Sequence, residues 1–229
     1  HEKGREAFGD DRDYRLHCLR HSAAHVMAEA IQTVFPEASF AIGPAIQDGF
    51  YYDVDVSRPI TEEDLSTIEK AMKVVCKRNS KFEQEAWTKD KAIAFFQERD
   101  QGFKVELIEG IPDEEVSIFH QDGFTDLCRG PHVQRTKNCK HFKLPKVSGA
   151  YWRGDSSGPQ LQRIYGTVWP TRDELDQYMF RLEEAKKRDH RRLGKQLELM
   201  MFHEYAPGCP FFLPKGEVLY HELSEAMRT

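Results

Sequence analysis

Two segments far apart in the chain, His21-Ser-Ala-Ala-His25 and Cys128-Arg-Gly-Pro-His132, constrain the fold more than any other feature. Each sets two metal-competent or acid–base side chains four positions apart, and on a helix positions i and i+4 share a face. One such pair is most simply read as surface histidines or satisfied core histidines. Two pairs point to a fold that returns distant segments to a single crevice. Three imidazoles and one thiol suit tetrahedral zinc. They also suit a metal-free pocket in which imidazoles position and deprotonate a water. The residues alone leave both open.

The chain is long enough for one large domain, or a domain with an extension. With 39% hydrophobic and 31% charged residues it can build an ordinary soluble core. No apolar run reaches the length of a membrane-spanning helix. The opening His-Glu-Lys-Gly-Arg-Glu has no apolar signal region and no Met, so a processed or excised piece is expected. Five cysteines, without any C-x-x-C, argue against a disulfide framework and for a reducing compartment, the cytoplasm. Residues 1–128 carry 15 Lys and Arg against 26 Asp and Glu, a balance of −11. Residues 129–195 carry 16 against 7, a balance of +9. Such asymmetry fits a polyanion footprint or a solvated basic surface.

Residues 1–14 are polar and read as a mobile tail. Val26, Met27, Ala30, Ile31, Val34 and Phe35 recur at helical spacing, which predicts a helix from about Leu19 to Phe35, closed by Pro36. Residues 40–46 and 49–56 read as a hairpin turning at Gln47, Asp48 and Gly49. Thr61-Glu-Glu-Asp64 is a capping box opening a helix to about Lys77, with Leu65, Ile68, Met72 and Val75 inward. Thr88 caps another helix, with Ala92, Phe95 and Phe96 inward. Phe103-Lys-Val-Glu-Leu-Ile108 alternates and reads as a strand, as does Val116–Phe119. Further strands are expected at Phe142–Leu144, Ala150–Trp152 and Leu161–Trp169. Thr171-Arg-Asp-Glu174 opens a long helix with Leu175, Tyr178, Met179, Leu182 and Ala185 inward. Its apolar stripe fades in Lys186–Arg192, which places a domain boundary near residue 190.

Around the two motifs, Asp126 lies two positions before Cys128 and would share its face on a strand. Arg129-Gly-Pro is a turn able to aim Cys128 and His132 inward. Lys104 in a strand reads by itself as an edge gatekeeper. Tyr52 reads by itself as a core aromatic with a wet hydroxyl.

Several segments resemble the editing domain of bacterial-type threonyl-tRNA synthetases. They are His21–His25, Ala41-Ile-Gly-Pro44, Gly49-Phe-Tyr-Tyr-Asp-Val-Asp55, Asp126-Leu-Cys-Arg-Gly-Pro-His132, Gly149-Ala-Tyr-Trp-Arg-Gly-Asp155 and Leu161-Gln-Arg-Ile-Tyr-Gly166. Lys187–Lys195 resembles the family's linker helix, and Glu204–Gly216 the entry to its catalytic core. The pair of motifs also fits the zinc-dependent alanyl-tRNA editing domains, but the wording around Cys128 and the linker favour the threonyl family.

The resemblance implies hydrolysis of serine wrongly attached to threonine tRNA, by attack of water on the aminoacyl ester. In that reading His21 and Lys104 hold and activate the water, and His25 and His132 orient the ribose hydroxyl or relay protons. Asp126 binds the amino group, Cys128 lines the pocket where a threonine methyl would clash, and Tyr52 shapes the wall. Arg129 and Arg153 contact phosphate or ribose. No metal or other cofactor is expected in this part; zinc at His21, His25, Cys128 and His132 is the minority reading. ATP and a catalytic zinc are expected only in a core beyond residue 229. The expected partners are the serine-bearing 3′ end of tRNA(Thr) and the rest of a synthetase chain, with no membrane. Phe119 stands where relatives often carry tyrosine, which removes a hydroxyl near the pocket.

The expected fold is α+β, a mostly antiparallel sheet with flanking helices followed by a long linker helix. The expected division is a tail at 1–17, an editing domain at 18–185, a linker helix at 186–200 and the start of a class II catalytic domain at 201–229.

Overall fold

The computed structural model describes residues 10–228. It begins on helix α1, Asp11–Val34, eight residues ahead of the expected Leu19. Asp10 caps it by accepting from the Asp13 N–H at 2.7 Å, and Asp11 and Asp13 put negative charge at its positive end. These are polar signals, so the apolar stripe did not reveal them. Residues 11–17 are therefore helix rather than tail, and residues 1–9 lie outside the described part.

After α1 come β1 (Ser39–Phe40), β2 (Ala45–Ile46) and β3 (Gly49–Asp55). Gly43-Pro44 splits the single strand expected at 40–46 into two, because proline has no N–H for the ladder. Gly43 also lies against the Tyr52 ring, where a Cβ would collide. Helix α2, Glu62–Arg78, opens on the complete Thr61–Asp64 capping box and ends at Asn79 in the left-handed region (φ 59°). Its buried stripe is the expected Leu65, Ile68, Met72 and Val75, plus Cys76.

Next come β4 (Glu83–Thr88), α3 (Lys89–Gln97) and α4 (Gly102–Glu109). Helix α4 corrects the strand expected at 103–108. In so short a run, alternation and helical spacing cannot be told apart. Lys104 and Ile108 are the buried pair, one helical turn apart, while Phe103 and Leu107 pack on the cluster of Ala41, Trp152 and Leu161.

Strands β5 (Glu115–Gln121) and β6 (Phe124–Leu127) form a hairpin that continues β4 into a three-stranded antiparallel sheet. Strands β7 (Phe142–Tyr151) and β8 (Gln160–Val168) complete a five-stranded antiparallel sheet, ordered β1-β3-β8-β7 with β2 also on β3. The two strands expected at 142–144 and 150–152 are one strand with an irregularity between Lys143 and Lys146, where Pro145 cannot donate. Trp152 has left the strand for a 3-10 turn. Helix α1 is the core of this unit: from Ala23 to Ile31 every residue is buried, against β3, β8 and α2. The expected α+β class with antiparallel sheets is the observed one.

The chain forms two compact units that divide between Leu175 and Asp176. Helix α5 runs over Arg172–Lys187. Leu175 is buried on it, Tyr178, Met179 and Leu182 are half-buried, and Ala185 is exposed rather than inward. The helical segment expected over 186–200 is broken: α5 ends at Lys187 and α6 spans His190–Gln196, capped by Asp189 through the Arg191 N–H. An Asp with a free N-terminal turn to cap interrupts a helix that has no apolar stripe to hold it straight. Strands β9 (Met200–Phe202) and β10 (Pro210–Phe212) form a hairpin, and α7 covers Pro214–Arg228. Among the described residues no helix is long and apolar enough to cross a membrane.

Candidate functional site

Helix α1 carries His17, His21 and His25 at successive four-residue steps. Ring centroids are 6.0 Å apart for His17 and His21, and 5.4 Å for His21 and His25. The β5–β6 hairpin delivers the second segment. Asp126 faces inward from β6, paired in register with Phe119, while Cys128 lies just past the strand and donates its backbone N–H to the Ser117 carbonyl at 3.1 Å. Gly130, at φ 72°, turns the chain back and gives its N–H to Cys128 Sγ at 3.2 Å. A side chain at that φ would be strained, which accounts for glycine there. The turn places the His132 ring 4.4 Å from that of His21 and 4.5 Å from that of His25.

The two segments therefore meet. Cys128 Sγ lies 3.2 Å from His21 Nε2 and 3.2 Å from His132 Nε2. The donor atoms of His21, His25, Cys128 and His132 fall within 4.8 Å of one another. Phe82 stacks flat on His132 at 4.9 Å, Phe119 stands edge-on to it at 4.4 Å, and Phe124 meets His25 at 6.2 Å. These aromatic walls help bury His25 and Cys128, while His21 and His132 remain partly exposed. Phe119 thus lies beside the cluster, as its departure from the family pattern implied.

A second group of side chains adjoins the first. Lys104 on α4 is ion-paired with Asp126 Oδ1 and donates to the Tyr52 hydroxyl at 2.8 Å. Tyr52 in turn donates to Asp126 Oδ2 at 2.5 Å. All three are at most 3% exposed. Tyr52 is a core aromatic, but its hydroxyl is dry rather than wet. His25 Nε2 lies 3.5 Å from Asp126 Oδ2 and joins the two groups. Of the nine residues singled out in the sequence, seven converge here. Arg129 is exposed immediately after Cys128. Arg153 is exposed, and pairs with Glu106 at 3.1 Å instead of with any member of the cluster.

Sequence reasoning missed Ser22, His17 and Phe82. His17 was legible, since it extends the 21/25 spacing by one more turn. Ser22 sits inside the first motif, fully buried, with its Oγ 3.0 Å from His132 Nδ1. Phe82 carried no signal, because only tertiary folding brings it to His132.

Burial governs the titration of the site. It pulls His21 down to about 4, aided by the neighbouring His17 and opposed by Asp126. It holds His25 well below its ordinary range, with His21 and Lys104 adding to the effect. It lowers His132 further, helped by His25 and His21. Burial also pushes the Cys128 thiol up to about 12 and the Tyr52 phenol well above its usual value. At neutral pH the cluster is three neutral imidazoles and a protonated thiol.

A consequence for stability follows from linkage. A histidine whose folded pKa is depressed binds its proton more readily when unfolded. The unfolded chain gains protons as pH falls through 6.5, while folded His21 does so only near 4. The stability these histidines contribute is complete above 6.5 and is lost on acidification through that window. Denaturant midpoints measured across the same range are expected to fall with pH, and a midpoint flat from 7 to about 4 would contradict the burial described here.

Cavities flank the cluster, among them one of about 370 Å³ at Cys128 and Arg129. One of about 650 Å³ opens past His132 and is lined by Arg15, Lys137 and Lys140. Another of about 270 Å³ reaches Lys104 and Asp126 between Phe40, Phe96 and Phe124.

Residues 116–165 match the family model described as the threonyl and alanyl tRNA synthetase second additional domain. Over 93% of its length the chain is 51% identical to the threonine–tRNA ligase of Nitrosomonas eutropha, covering 34% of that protein. It is 50% identical over 92% of its length to that of Alkalilimnicola ehrlichii, covering 33%, and 49% identical over 93% to that of Rickettsia bellii, covering 34%. The chain spans about a third of the length of the curated relatives it matches. With its second-additional-domain match and about half of its residues identical along nearly all of its length, the chain is similar to a part of the threonine–tRNA ligases.

Proposed function

We propose that this part of the enzyme proofreads: it hydrolyses the ester between serine and the terminal ribose of tRNA(Thr). The observation that carries the reading is the meeting of three neutral imidazoles, a thiol and the Lys104–Tyr52–Asp126 group in one largely buried crevice beside a basic cleft. Hydrolysis of an ester needs a placed water, a base and a donor for the developing oxyanion. His21, neutral at physiological pH, supplies the base. Lys104, held by Asp126 and Tyr52, supplies a donor to the water and the oxyanion. His25 and His132 orient the ribose hydroxyl and relay protons. Asp126 receives the amino group, and Cys128 and Tyr52 close the pocket against a threonine methyl. Arg129 and Arg153, with the cleft at Lys137 and Lys140, meet ribose and phosphates.

A second sieve is needed because one missing methyl gives a synthetic site only ~1–3 kcal/mol of discrimination. A smaller site that admits serine and rejects threonine supplies the rest. We further assign 18–185 as the hydrolytic domain, 186–200 as a linker and 201–229 as the start of the ligase core. The compartment that fits is the cytoplasm.

A second reading, zinc-dependent hydrolysis or a structural zinc in a non-catalytic tRNA-binding module, is favoured by the same four donors lying within 4.8 Å. Three nitrogens and one sulfur suit that ion. The charged Lys104–Asp126 pair favours the metal-free reading, since it already provides the charge a metal would bring. The deciding experiment is a deacylation time course on seryl- and threonyl-tRNA, with and without chelator. Cleavage of the seryl ester alone, unaffected by chelation, is expected. Equal cleavage of both esters defeats the sieve. Loss of activity with stoichiometric zinc by elemental analysis establishes the second reading, and tRNA binding without hydrolysis establishes its structural form.

A further inference from the structure

The hydrogen bonds of Ser22 fix where the protons of the cluster lie. Ser22 Oγ has one hydrogen and three neighbours. It is 2.8 Å from the Cys18 carbonyl oxygen, accepts the Val133 N–H at 2.9 Å, and is 3.0 Å from His132 Nδ1. Two oxygens at 2.8 Å without a proton between them repel, so the hydroxyl hydrogen goes to Cys18. His132 must then carry its own hydrogen on Nδ1 and donate it to Ser22, which leaves His132 Nε2 bare. The Cys128 thiol, 3.2 Å away, donates to that nitrogen. Its sulfur then accepts from Gly130 N–H and from His21 Nε2–H, each at 3.2 Å. His21 is left with a bare Nδ1.

The opposite arrangement is worse at the serine end. It puts a proton on His21 Nδ1 and strips the one between Ser22 and Cys18. The Pro131 backbone lies close enough to favour a charged His21 ring. Yet His21 Nδ1, although buried, makes no hydrogen bond of normal geometry among the described residues.

We propose that Ser22 is a positioning residue for the hydrolytic site: it locks His132 as the Nδ1–H tautomer and, through Cys128, His21 as the Nε2–H tautomer. The catalytic part of this statement rests on the hydrolytic reading above; the tautomers do not. Ser22 touches no reacting atom. It acts through His132 and Cys128, as the outer partners of catalytic imidazoles do.

The test is nitrogen NMR of the 229-residue chain with histidine labelled in both ring nitrogens. Single tautomers, protonated at Nδ1 in His132 and at Nε2 in His21, are expected without any substrate; the reverse pair overturns the proposal. Ser22→Ala should mix the His132 tautomers and lower kcat on the seryl ester by about 10²-fold with little change in KM. Ser22→Thr, whose hydroxyl can keep the bond to the carbonyl one turn back, should restore both. A Ser22→Ala variant with unchanged tautomers overturns the proposal, whatever its rate. If either variant fails to fold, the wild-type spectrum still decides. A wild type that deacylates nothing refutes the hydrolytic reading and leaves the tautomer result standing.

Discussion

Asp126→Ala is expected to cost about 3–5 kcal/mol of folding stability, because it leaves a buried ammonium without its counter-charge. Lys104 is 3% exposed and Asp126 2% exposed, so water cannot substitute for the lost carboxylate. The Tyr52 hydroxyl that remains beside Lys104 is a weak replacement, and it too loses its acceptor. The double variant Lys104→Met, Asp126→Leu removes both charges. It should recover most of the loss, since a buried ion pair gains little over well-packed apolar groups once its desolvation is counted. Urea midpoints of the two single variants and the double close the cycle. A single-variant cost below about 1 kcal/mol, the range of exposed pairs, would show that solvent reaches the pair. The double variant should still fail to deacylate. That outcome separates the two services of this pair, which the fold can dispense with and the chemistry cannot.

For His21→Ala the expected result is the reverse: a large kinetic loss with a small structural one. Removing a positioned general base lowers the rate of seryl ester hydrolysis by about 10²–10⁴-fold, or ~3–5 kcal/mol of barrier. His21 is only partly buried, and the core around it rests on Ala24, Val26, Met27 and Ile31 of the same helix. The variant should therefore unfold within a few degrees of the wild type. In the wild type, a base with its pKa near 4 is already deprotonated at neutral pH, so the rate should be flat above that value on the acidic limb. Seryl ester turnover by a folded His21→Ala chain that matches the wild type would remove this residue from the mechanism.

Parts of this were legible before any coordinates. The capping box Thr61–Asp64 and the stripe Leu65, Ile68, Met72, Val75 marked α2 within a residue, because cap chemistry and burial agree there. The start of α1 was hidden because Asp10, Asp11 and Asp13 are signals of charge and hydrogen bonding, not of apolar period. Lys104 was misplaced on a strand for a related reason: six alternating residues satisfy two periods at once, and only the packing of Phe103 and Leu107 against Trp152 selects the helix. Arg153, singled out beside a motif, is drawn to Glu106 by a nearer opposite charge.

The sequence by itself determined which chemical groups are present and their local spacing: imidazoles one helical turn apart, and a thiol and imidazole across a glycine–proline turn. These follow from the 3.6-residue period and from turn chemistry, which act over a few positions. Tertiary structure alone decided that the two stretches converge, that Lys104 pairs with Asp126 beneath Tyr52, and that Ser22 sets the proton on His132. Those facts depend on desolvation and on contacts between residues far apart in the chain, up to 110 positions for Ser22 and His132, and no local period encodes either.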